Sequence, residues 1–303
     1  MTHVATLISN PAQPALGDAA IALGVGVLAT TQDVRVLDPG IAADLLFTPG
    51  SADDKAIAER LRSALRDLPI DVVVQPLAAR RKKLFVADMD STMIGQECID
   101  ELADYVGLKA HVAAITERAM RGDITFEPAL RERVALLKGL PLAVVDEVIE
   151  KRITLTPGAR MLAATMRANG VLTCLVSGGF TLFTGRIAAM IGFDEHRGNM
   201  LIIEHGKLAG RVAEPVHGRD AKLATLIELR DRLGLSPRDT LAAGDGANDI
   251  PMLQAAGLGV AYHAKPAAAS AAHARIDHGD LTALLYCQGY ARADFLESAP
   301  SDQ

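Results

Sequence analysis

Residues 84–92 read Leu-Phe-Val-Ala-Asp-Met-Asp-Ser-Thr, an apolar run that ends in two carboxylates and two hydroxyls. Three later apolar runs also end in polar or glycine-rich residues and alternate with helical patterns: Val171–Val176, Thr240–Ala243 and Leu258–Ala261. Near-continuous apolar strands that alternate with helices are typical of a parallel sheet covered on both faces. The sequence therefore predicts an α/β fold in which Leu84–Ala87 is the first strand of this sheet.

Polar motifs follow the first three of these strands. The motifs are Asp88-Met89-Asp90-Ser91-Thr92, Ser177-Gly178-Gly179 and Gly244-Asp245-Gly246-Ala247-Asn248-Asp249. Lys222 lies near the start of the predicted helix Asp220–Leu233, between the second and third motifs. Each motif alone is more often a turn, a helix cap or a solvated charge. Because ligands bind at the carboxyl ends of strands in open α/β sheets, we expect the motifs together to form one site.

Four carboxylates would repel one another at this site, those of Asp88, Asp90, Asp245 and Asp249. A like-charged pair about 4 Å apart costs about 4 kcal/mol even at an effective dielectric constant of about 20. A hard cation would offset this repulsion, and oxygen ligands without histidine or cysteine favour Mg²⁺ over Zn²⁺. The third motif alone is also compatible with an acidic loop of the calcium-binding type.

The remaining groups suit a phosphoryl ligand. Ser177 and the backbone N–H groups after it can donate to phosphate oxygens, the adjacent glycines allow close approach, and Lys222 supplies a positive charge. A carboxylate beside Mg²⁺ can attack phosphorus and form an aspartyl-phosphate, which water then hydrolyses. A second carboxylate two residues later can protonate the leaving alcohol and then activate the water.

A helical segment of about 80 residues separates the first two strands of the sheet. It includes predicted helices over Glu97–Val106, Lys109–Met120 and Phe126–Leu137. In the last of these, Leu130, Val134 and Leu137 share one face and Arg133 borders it. Such an insertion near the carboxyl ends of the strands is well placed to form a lid.

These motifs resemble those of the haloacid dehalogenase-like phosphohydrolases, with DMDST, SGG, a distant lysine and GDGANDIPML in the same order. Within that superfamily, Gln96–Glu101 and Phe126–Val134 resemble the cap of the phosphoserine phosphatases, and the match runs from Lys83 to Tyr286. The resemblance implies a HAD-like Rossmannoid parallel sheet over 81–295, with a helical cap at about 95–155. It also implies hydrolysis of O-phospho-L-serine to L-serine and phosphate, the last step of L-serine biosynthesis.

The resemblance implies the catalytic roles residue by residue. Asp88 would be the nucleophile and Asp90 the general acid and base. Mg²⁺ would be held by Asp88, the backbone carbonyl of Asp90, and Asp245. Asp249 would contact these ligands instead of the metal, or it would position Lys222.

The resemblance also implies how the substrate is held. Its phosphate would be bound by Ser177, Gly178 and Lys222. In the cap, Glu97 would bind the ammonium group and Arg133 the carboxylate, with Arg131 as the competing candidate for the carboxylate. Asn248 would help to bind the substrate. On spacing alone, Glu97 and Arg133 are more often part of a solvated helix face, so these two assignments depend on the resemblance.

Residues 1–80 precede this region in βαββαβ order: Val4–Ile8, Pro14–Leu23, Val34–Leu37, Ala43–Thr48, Asp53–Leu68 and Ile70–Gln75. This order is compatible with a small α+β, ferredoxin-like domain. It also resembles, more weakly, the ACT-type amino-acid-binding modules of some phosphoserine phosphatases. Binding of an amino-acid effector, homodimerisation and plain scaffolding all remain open. The basic run Arg80–Lys83, near the expected boundary, is interpreted as a solvated linker or a lead-in to the next strand.

Composition narrows the class of protein. Among 303 residues, 31 Lys and Arg face 37 Asp and Glu, for a formal charge of −6, so we expect no nucleic-acid or membrane partner. Three widely spaced cysteines, Cys98, Cys174 and Cys287, predict free thiols in a reducing cytoplasm. The alternatives are a phosphatase for another small molecule, a phosphotransferase to an alcohol such as homoserine, and an amino-acid sensor without turnover. The intact Asp88 and Asp90 argue against the sensor.

Overall fold

The first 76 residues form a four-stranded antiparallel sheet with two helices. Its elements are β1 (His3–Ser9), α1 (Asp18–Leu28), β2 (Thr31–Asp38), β3 (Ala42–Phe47), α2 (Asp54–Ala64) and β4 (Ile70–Pro76). The strands lie in the order β2-β3-β1-β4, which is the ferredoxin-like arrangement predicted from the βαββαβ order. This is a computed structural model, and it describes residues 1–28, 30–121 and 123–297.

Three helix boundaries in this region were predicted wrongly. Helix α1 ends at Leu28 instead of Leu23. Helix α1 begins at Asp18 instead of Pro14, because the Leu16 N–H donates to the Gly40 carbonyl in an isolated antiparallel bridge instead of to a helical neighbour. Helix α2 ends at Ala64 instead of Leu68. Leu68 precedes a proline, and this disfavours helical backbone there.

A six-stranded, fully parallel sheet forms the centre of the rest of the chain. Its strands are β5 (Leu84–Asp88), β6 (Leu172–Phe180), β7 (Glu195–Asn199), β10 (Thr240–Gly244), β11 (Leu258–Tyr262) and β12 (Ala274–Ile276). They lie in the order β12-β11-β10-β5-β6-β7, so β5 is central. A separate antiparallel hairpin consists of β8 (Leu201–Glu204) and β9 (Lys207–Val212). The predicted α/β class is confirmed.

Helices cover both faces of this sheet, as predicted. On β5, Phe85 and Ala87 pack with α7 (Ala159–Ala168), α8 (Thr181–Ile191) and α12 (Ala283–Cys287). The alternate residues Leu84 and Val86 pack on the other face with α9 (Arg219–Arg232) and α10 (Ile250–Ala255), and α11 (Pro266–Ala271) follows β11. The strand is apolar on both sides because both sides are buried.

The helical segment after β5 consists of α3 (Cys98–Asp104), α4 (Lys109–Arg121), α5 (Phe126–Leu136) and α6 (Ala143–Lys151). Leu130, Val134 and Leu137 are buried in its core, as the periodicity predicted. The chain enters and leaves this cap side by side, where Ile94 and Leu155 form an antiparallel bridge. The cap is therefore connected to the sheet through two adjacent segments.

The basic run Arg80–Lys83 leads directly into β5, as one of the two interpretations predicted, but it is not a solvated linker throughout. The Arg80 guanidinium is only 10% exposed, and its Nη1 lies 2.6 Å from Asp44 Oδ2. Lys82 is also buried, and its Nζ donates to the Arg238 carbonyl at 2.8 Å. The prediction of solvent exposure is correct only for the side chains of Arg81 and Lys83, which are about half and two-thirds exposed at 49% and 64%. The run contacts both sheet-containing regions and joins them.

All three cysteines are buried free thiols, as their spacing predicted. Among the described residues, every helix is too short or too polar to cross a membrane.

Candidate active site

The turn after β5 directs two carboxylates into one cavity. The chain leaves the strand through residues 89–93, where Ile94 N–H donates to the Met89 carbonyl and Ser91 adopts a left-handed conformation with φ of 56°. Asp88 and Asp90 both line the cavity between the sheet and the cap. In a regular strand, the side chains of residues 88 and 90 would project from the same face but would be separated by a full two-residue repeat along the strand.

Asp90 connects the sheet to the cap. Its Oδ2 accepts a hydrogen bond from Ser177 Oγ at 2.9 Å, and its Oδ1 accepts one from the Cys98 N–H at 2.9 Å. Ser177 Oγ in turn accepts from the Gly179 N–H at 2.8 Å. The carboxyl group is thus held at the point where the first two motifs meet the first cap helix.

Lys222 lies between two carboxylates beneath the cavity. Its Nζ is 2.7 Å from Asp88 Oδ1 and 2.6 Å from Asp249 Oδ1, and the side chain is 1% exposed. Burial alone would lower the pKa of Lys222, but the charges of Asp249 and Asp88 raise it above its ordinary value. Lys222 is therefore a fixed cation at the base of the site.

The acidic cluster carries more negative charge than Lys222 neutralises. Asp88, Asp245 and Asp249 are buried, and each offers an oxygen within 4.8 Å of the others. Burial and the charge of Asp249 raise the pKa of Asp245 to about 7. Burial and the same neighbour raise the pKa of Asp88 well above its ordinary range. A buried set of oxygen donors with an excess of negative charge fits a hard divalent cation.

Three glycines of the motifs allow close approaches that a side chain would block. A Cβ atom on Gly178 would lie 2.6 Å from the Phe126 ring of the cap. On Gly244 it would lie 2.4 Å from Asp249 Cγ, and on Gly179 it would lie 3.0 Å from Asp90 Oδ2. The glycines therefore let the acidic cluster and the cap approach the backbone of the strand ends.

The cap contributes charged groups to the opposite wall of the cavity. Glu97 and Arg133 line it together with Ser177, Gly178 and Asn248. Glu97 Oε1 accepts from Ser91 Oγ at 2.7 Å, and burial together with the charge of Asp90 raises the pKa of Glu97 well above its ordinary value. Asn248 Oδ1 is buried without a hydrogen-bond partner in the described chain, so the cavity holds an unused acceptor.

The geometry agrees with a comparison against known protein families. Residues 85–254 match the model of the haloacid dehalogenase-like hydrolases, and this range contains both the sheet motifs and the cap. The chain belongs to the haloacid dehalogenase-like hydrolase family.

Relatives of this hydrolase are similar over most of its length. A phosphoserine phosphatase of Polaromonas sp. strain JS666 is 47% identical over 223 residues, which cover 72% of this chain and 94% of that protein. A structure described as the phospho-aspartyl intermediate analogue of a phosphoserine phosphatase is 40% identical, with a TM-score of 0.65 over 68% of this chain and 98% of the other. A HAD-family hydrolase from Salmonella enterica serovar Typhi is 29% identical, with a TM-score of 0.82 over 94% and 98% of the two chains.

The structure brings together all ten residues predicted for the site of this hydrolase. Seven line the cavity, and three lie beneath it around Asp88: Lys222, Asp245 and Asp249. The competing Arg131 does not join them. Its side chain is 42% exposed and pairs with Glu127 and Glu214, both at 2.6 Å.

Sequence reasoning missed three residues that shape the site. Thr116 accepts a hydrogen bond from Arg133, and the ring of Phe126 packs on Gly178 and near Gly218. Asn199 at the end of β7 is fully buried; its Nδ2 donates to the carbonyls of Gly178 and His217, and its Oδ1 accepts from the His217 N–H. Thr116 and Asn199 belong to no charged motif, so only their burial in the folded chain reveals them. Phe126 is partly buried and opens the Phe126–Val134 segment, but its ring had no assigned role.

Proposed function

We propose that this hydrolase is a Mg²⁺-dependent phosphoserine phosphatase that acts on O-phospho-L-serine and completes L-serine biosynthesis. The observation that carries the proposal is one cavity with two carboxylates, Asp88 and Asp90, on the sheet side and two side chains of opposite charge, Glu97 and Arg133, on the cap side. An amino-acid head group presents one cation and one anion, and Arg suits a carboxylate ligand. The phosphoserine phosphatases to which the chain is similar support the same substrate.

In the first proposed step, an Asp88 carboxylate oxygen attacks the phosphorus atom. The bond from phosphorus to the serine oxygen breaks, and that oxygen takes the proton of the Asp90 carboxyl group. The products are L-serine and an aspartyl-phosphate on Asp88. Ser177 and Gly178, which line the cavity, and Lys222, 2.7 Å from Asp88, would bind the phosphoryl oxygens.

In the second step, Asp90 takes a proton from water as the water oxygen attacks phosphorus. The bond between phosphorus and Asp88 breaks, which releases phosphate and returns Asp90 to its protonated form. The hydrogen bonds from Ser177 and Cys98 support this dual role, because they hold the Asp90 carboxyl group in place while its proton comes and goes.

The residues that would hold Mg²⁺ are the carboxylates of Asp88 and Asp245 and the backbone carbonyl of Asp90. When bound, the cation supplies positive charge that offsets the negative charge of the phosphoryl group and its acidic ligands. Asp249 would position Lys222, since it accepts from Lys222 at 2.6 Å and from the Gly246 N–H at 3.0 Å.

On the cap side, Glu97 would bind the ammonium group and Arg133 the carboxylate of the substrate. Asn248 would contribute its unpaired Oδ1 to the ammonium group or to a water molecule beside it. The Phe126 ring over Gly178 would help to exclude bulk water from the reacting groups.

The experiment that tests this function measures phosphate release from O-phospho-L-serine and from other phosphomonoesters, each with Mg²⁺ or with EDTA. We expect a strong preference for phosphoserine that EDTA abolishes. Equal rates across the panel would contradict the substrate assignment. Consumption of phosphoserine that requires an alcohol acceptor such as homoserine, with the phosphorylated alcohol as product instead of free phosphate, would identify a phosphotransferase.

We further propose that residues 1–80 form an ACT-like domain with a regulatory or oligomerising role beside a catalytic domain of 81–295 and its cap at about 95–155. The exposed Val34 and Val36 on the edge strand β2 support an interface between two copies. Sedimentation of the full chain, with and without added L-serine, tests both roles. A monomer that is unaffected by amino acids would leave scaffolding as the role.

A further inference from the structure

Arg133 is held in an unusual way for a buried cation. The side chain is only 5% exposed, yet its hydrogen bonds within the described chain go to neutral acceptors. Its Nε donates to the Ala129 carbonyl at 3.0 Å and its Nη1 to Thr116 Oγ1 at 2.8 Å. Buried arginines are usually paired directly with a carboxylate. Here the guanidinium keeps its charge without such a partner, and Nη2 donates to no described residue.

A carboxylate lies one step further away. Thr116 Oγ1 donates to Asp100 Oδ1 at 2.7 Å, and an alternative acceptor, the Val112 carbonyl, is farther at 3.1 Å. Arginine only donates, so Thr116 must accept from Arg133, and its single proton remains for Asp100. The three side chains therefore form an ordered chain from Asp100 through Thr116 to Arg133.

This arrangement leaves Arg133 available to an anionic ligand. A carboxylate bound directly to the guanidinium would occupy its donors and compete with the substrate for them. A hydroxyl group fixes one edge of the guanidinium without neutralising it, and Asp100 supplies negative charge nearby without contact.

We propose that Asp100 and Thr116 are positioning residues that orient Arg133 toward the carboxylate of the substrate. This inference rests on the proposed function. The same chain of hydrogen bonds also links helices α3, α4 and α5. A merely structural role in the cap would therefore weaken catalysis for every substrate, whereas positioning of Arg133 affects only substrates that carry a carboxylate.

The test compares O-phospho-L-serine with O-phosphoethanolamine, which has the same phosphate and ammonium groups but no carboxylate. Thr116→Val removes the hydroxyl at nearly constant shape. We expect it to raise KM for phosphoserine by about tenfold or more, with kcat within about threefold. The constants for phosphoethanolamine should not change, and Thr116→Ser should restore those for phosphoserine.

Thr225→Val is the matched control. Thr225 is also a buried helical threonine, but its hydroxyl donates to a backbone carbonyl, that of Ala221, and it lies in α9 outside the cap. We expect wild-type constants for this variant. Asp100→Asn keeps an acceptor for Thr116 but removes its charge, so we expect a smaller rise in KM for phosphoserine alone.

Equal losses on both substrates, or wild-type constants in Thr116→Val, would overturn the inference while leaving the proposed function intact. Should Thr116→Val not fold, Asp100→Asn allows the same comparison of the two substrates, with Thr116→Ser as the control that keeps the hydroxyl. A wild-type enzyme that does not prefer phosphoserine over phosphoethanolamine would instead contradict the proposed function, and the inference with it.

Discussion

At the scale of single residues, two arginines on helix α5 show how helical phase places similar side chains in different surroundings. Arg131 and Arg133 are about 200° apart around the helix axis, so they face opposite directions. Arg133 borders the apolar face of Leu130 and Val134, which could be predicted from the sequence. Its proposed role as a ligand for the substrate carboxylate followed only from the family resemblance, because a charged residue at the border of a buried face is most often solvated.

Replacing each arginine by alanine should separate them. Arg133→Ala should lower kcat/KM for O-phospho-L-serine by about 100-fold and leave phosphoethanolamine nearly unchanged, because only the first substrate has a carboxylate. Arg131→Ala, which breaks exposed ion pairs with Glu127 and Glu214, should remain within about twofold of wild type on both. Steady-state kinetics measure the difference, and the reverse pattern would reassign the carboxylate ligand.

Lys82 should make stability depend on pH in a defined window. Burial lowers the pKa of Lys82 from its ordinary 10.5 to about 8. Between these values the unfolded chain binds more protons at this residue than the folded chain, so its contribution to the free energy of unfolding rises with pH. Below pH 8 the cost of burying the charge is fully present.

The test is urea unfolding of wild type and Lys82→Met from pH 7 to 10.5. The difference in unfolding free energy between the two should change across pH 8 to 10.5, with wild type gaining relative to the variant. Exposed Lys83→Met provides the control, and its curve should run parallel to that of wild type. A parallel Lys82→Met curve would mean that the buried lysine has an ordinary pKa.

At the scale of elements, the ends of the parallel strands were predictable because each motif directly follows an apolar run. The start of α1 was not, because a long-range hydrogen bond between Leu16 and Gly40 delays it. The end of α2 could have been placed better from the sequence, since Leu68 precedes a proline. The side-chain contact between β7 and the Ser177-Gly178-Gly179 motif was also not predictable. Asn199, which no motif marks, makes this contact through its side chain, in addition to the backbone pairing of β7 with β6.

Asn199→Ala should impair every substrate equally. Its side chain joins the Gly178 carbonyl to residue His217, so its loss frees the loop that receives the phosphate and leaves buried polar groups unpaired. We expect kcat/KM to fall by about tenfold or more for both phosphoserine and phosphoethanolamine. Asn169→Ala, which removes an i−4 hydrogen bond at the end of α7, is the control. A loss confined to phosphoserine would contradict this role.

At the scale of the whole molecule, the two sheet-containing regions are joined through buried polar contacts. Arg80 pairs with Asp44 of β3 and donates to the carbonyls of Tyr286 and Cys287 in α12. Both carboxylate oxygens of Asp71 in β4 accept hydrogen bonds from backbone N–H groups of residues 277–279. A run of four basic residues in an acidic chain predicts solvent exposure. The partners of Arg80 lie about 40 and about 200 residues away along the chain. The sequence around the run therefore does not show that Arg80 is buried.

Removing Arg80 should destabilise the protein without changing its chemistry. Arg80→Ala leaves Asp44 buried without its cation, which should lower the free energy of unfolding by about 3–5 kcal/mol. The cavity residues are untouched, so kcat well below Tm should stay near that of wild type. Arg81→Ala loses only a half-exposed side chain stacked on Tyr290 and should cost about 1 kcal/mol or less. Equal Tm values for the two variants would contradict the account.

The central claim is that the buried Asp88 accepts the phosphoryl group of phosphoserine. The most direct measurement quenches the enzyme in acid within milliseconds of mixing it with phosphorus-32-labelled O-phospho-L-serine and Mg²⁺, then maps the labelled peptide. We predict an alkali-labile label on the peptide that contains Asp88, and neither label nor turnover in Asp88→Asn. Rapid turnover by the wild-type enzyme without label on Asp88, or full activity in Asp88→Asn, would contradict the account.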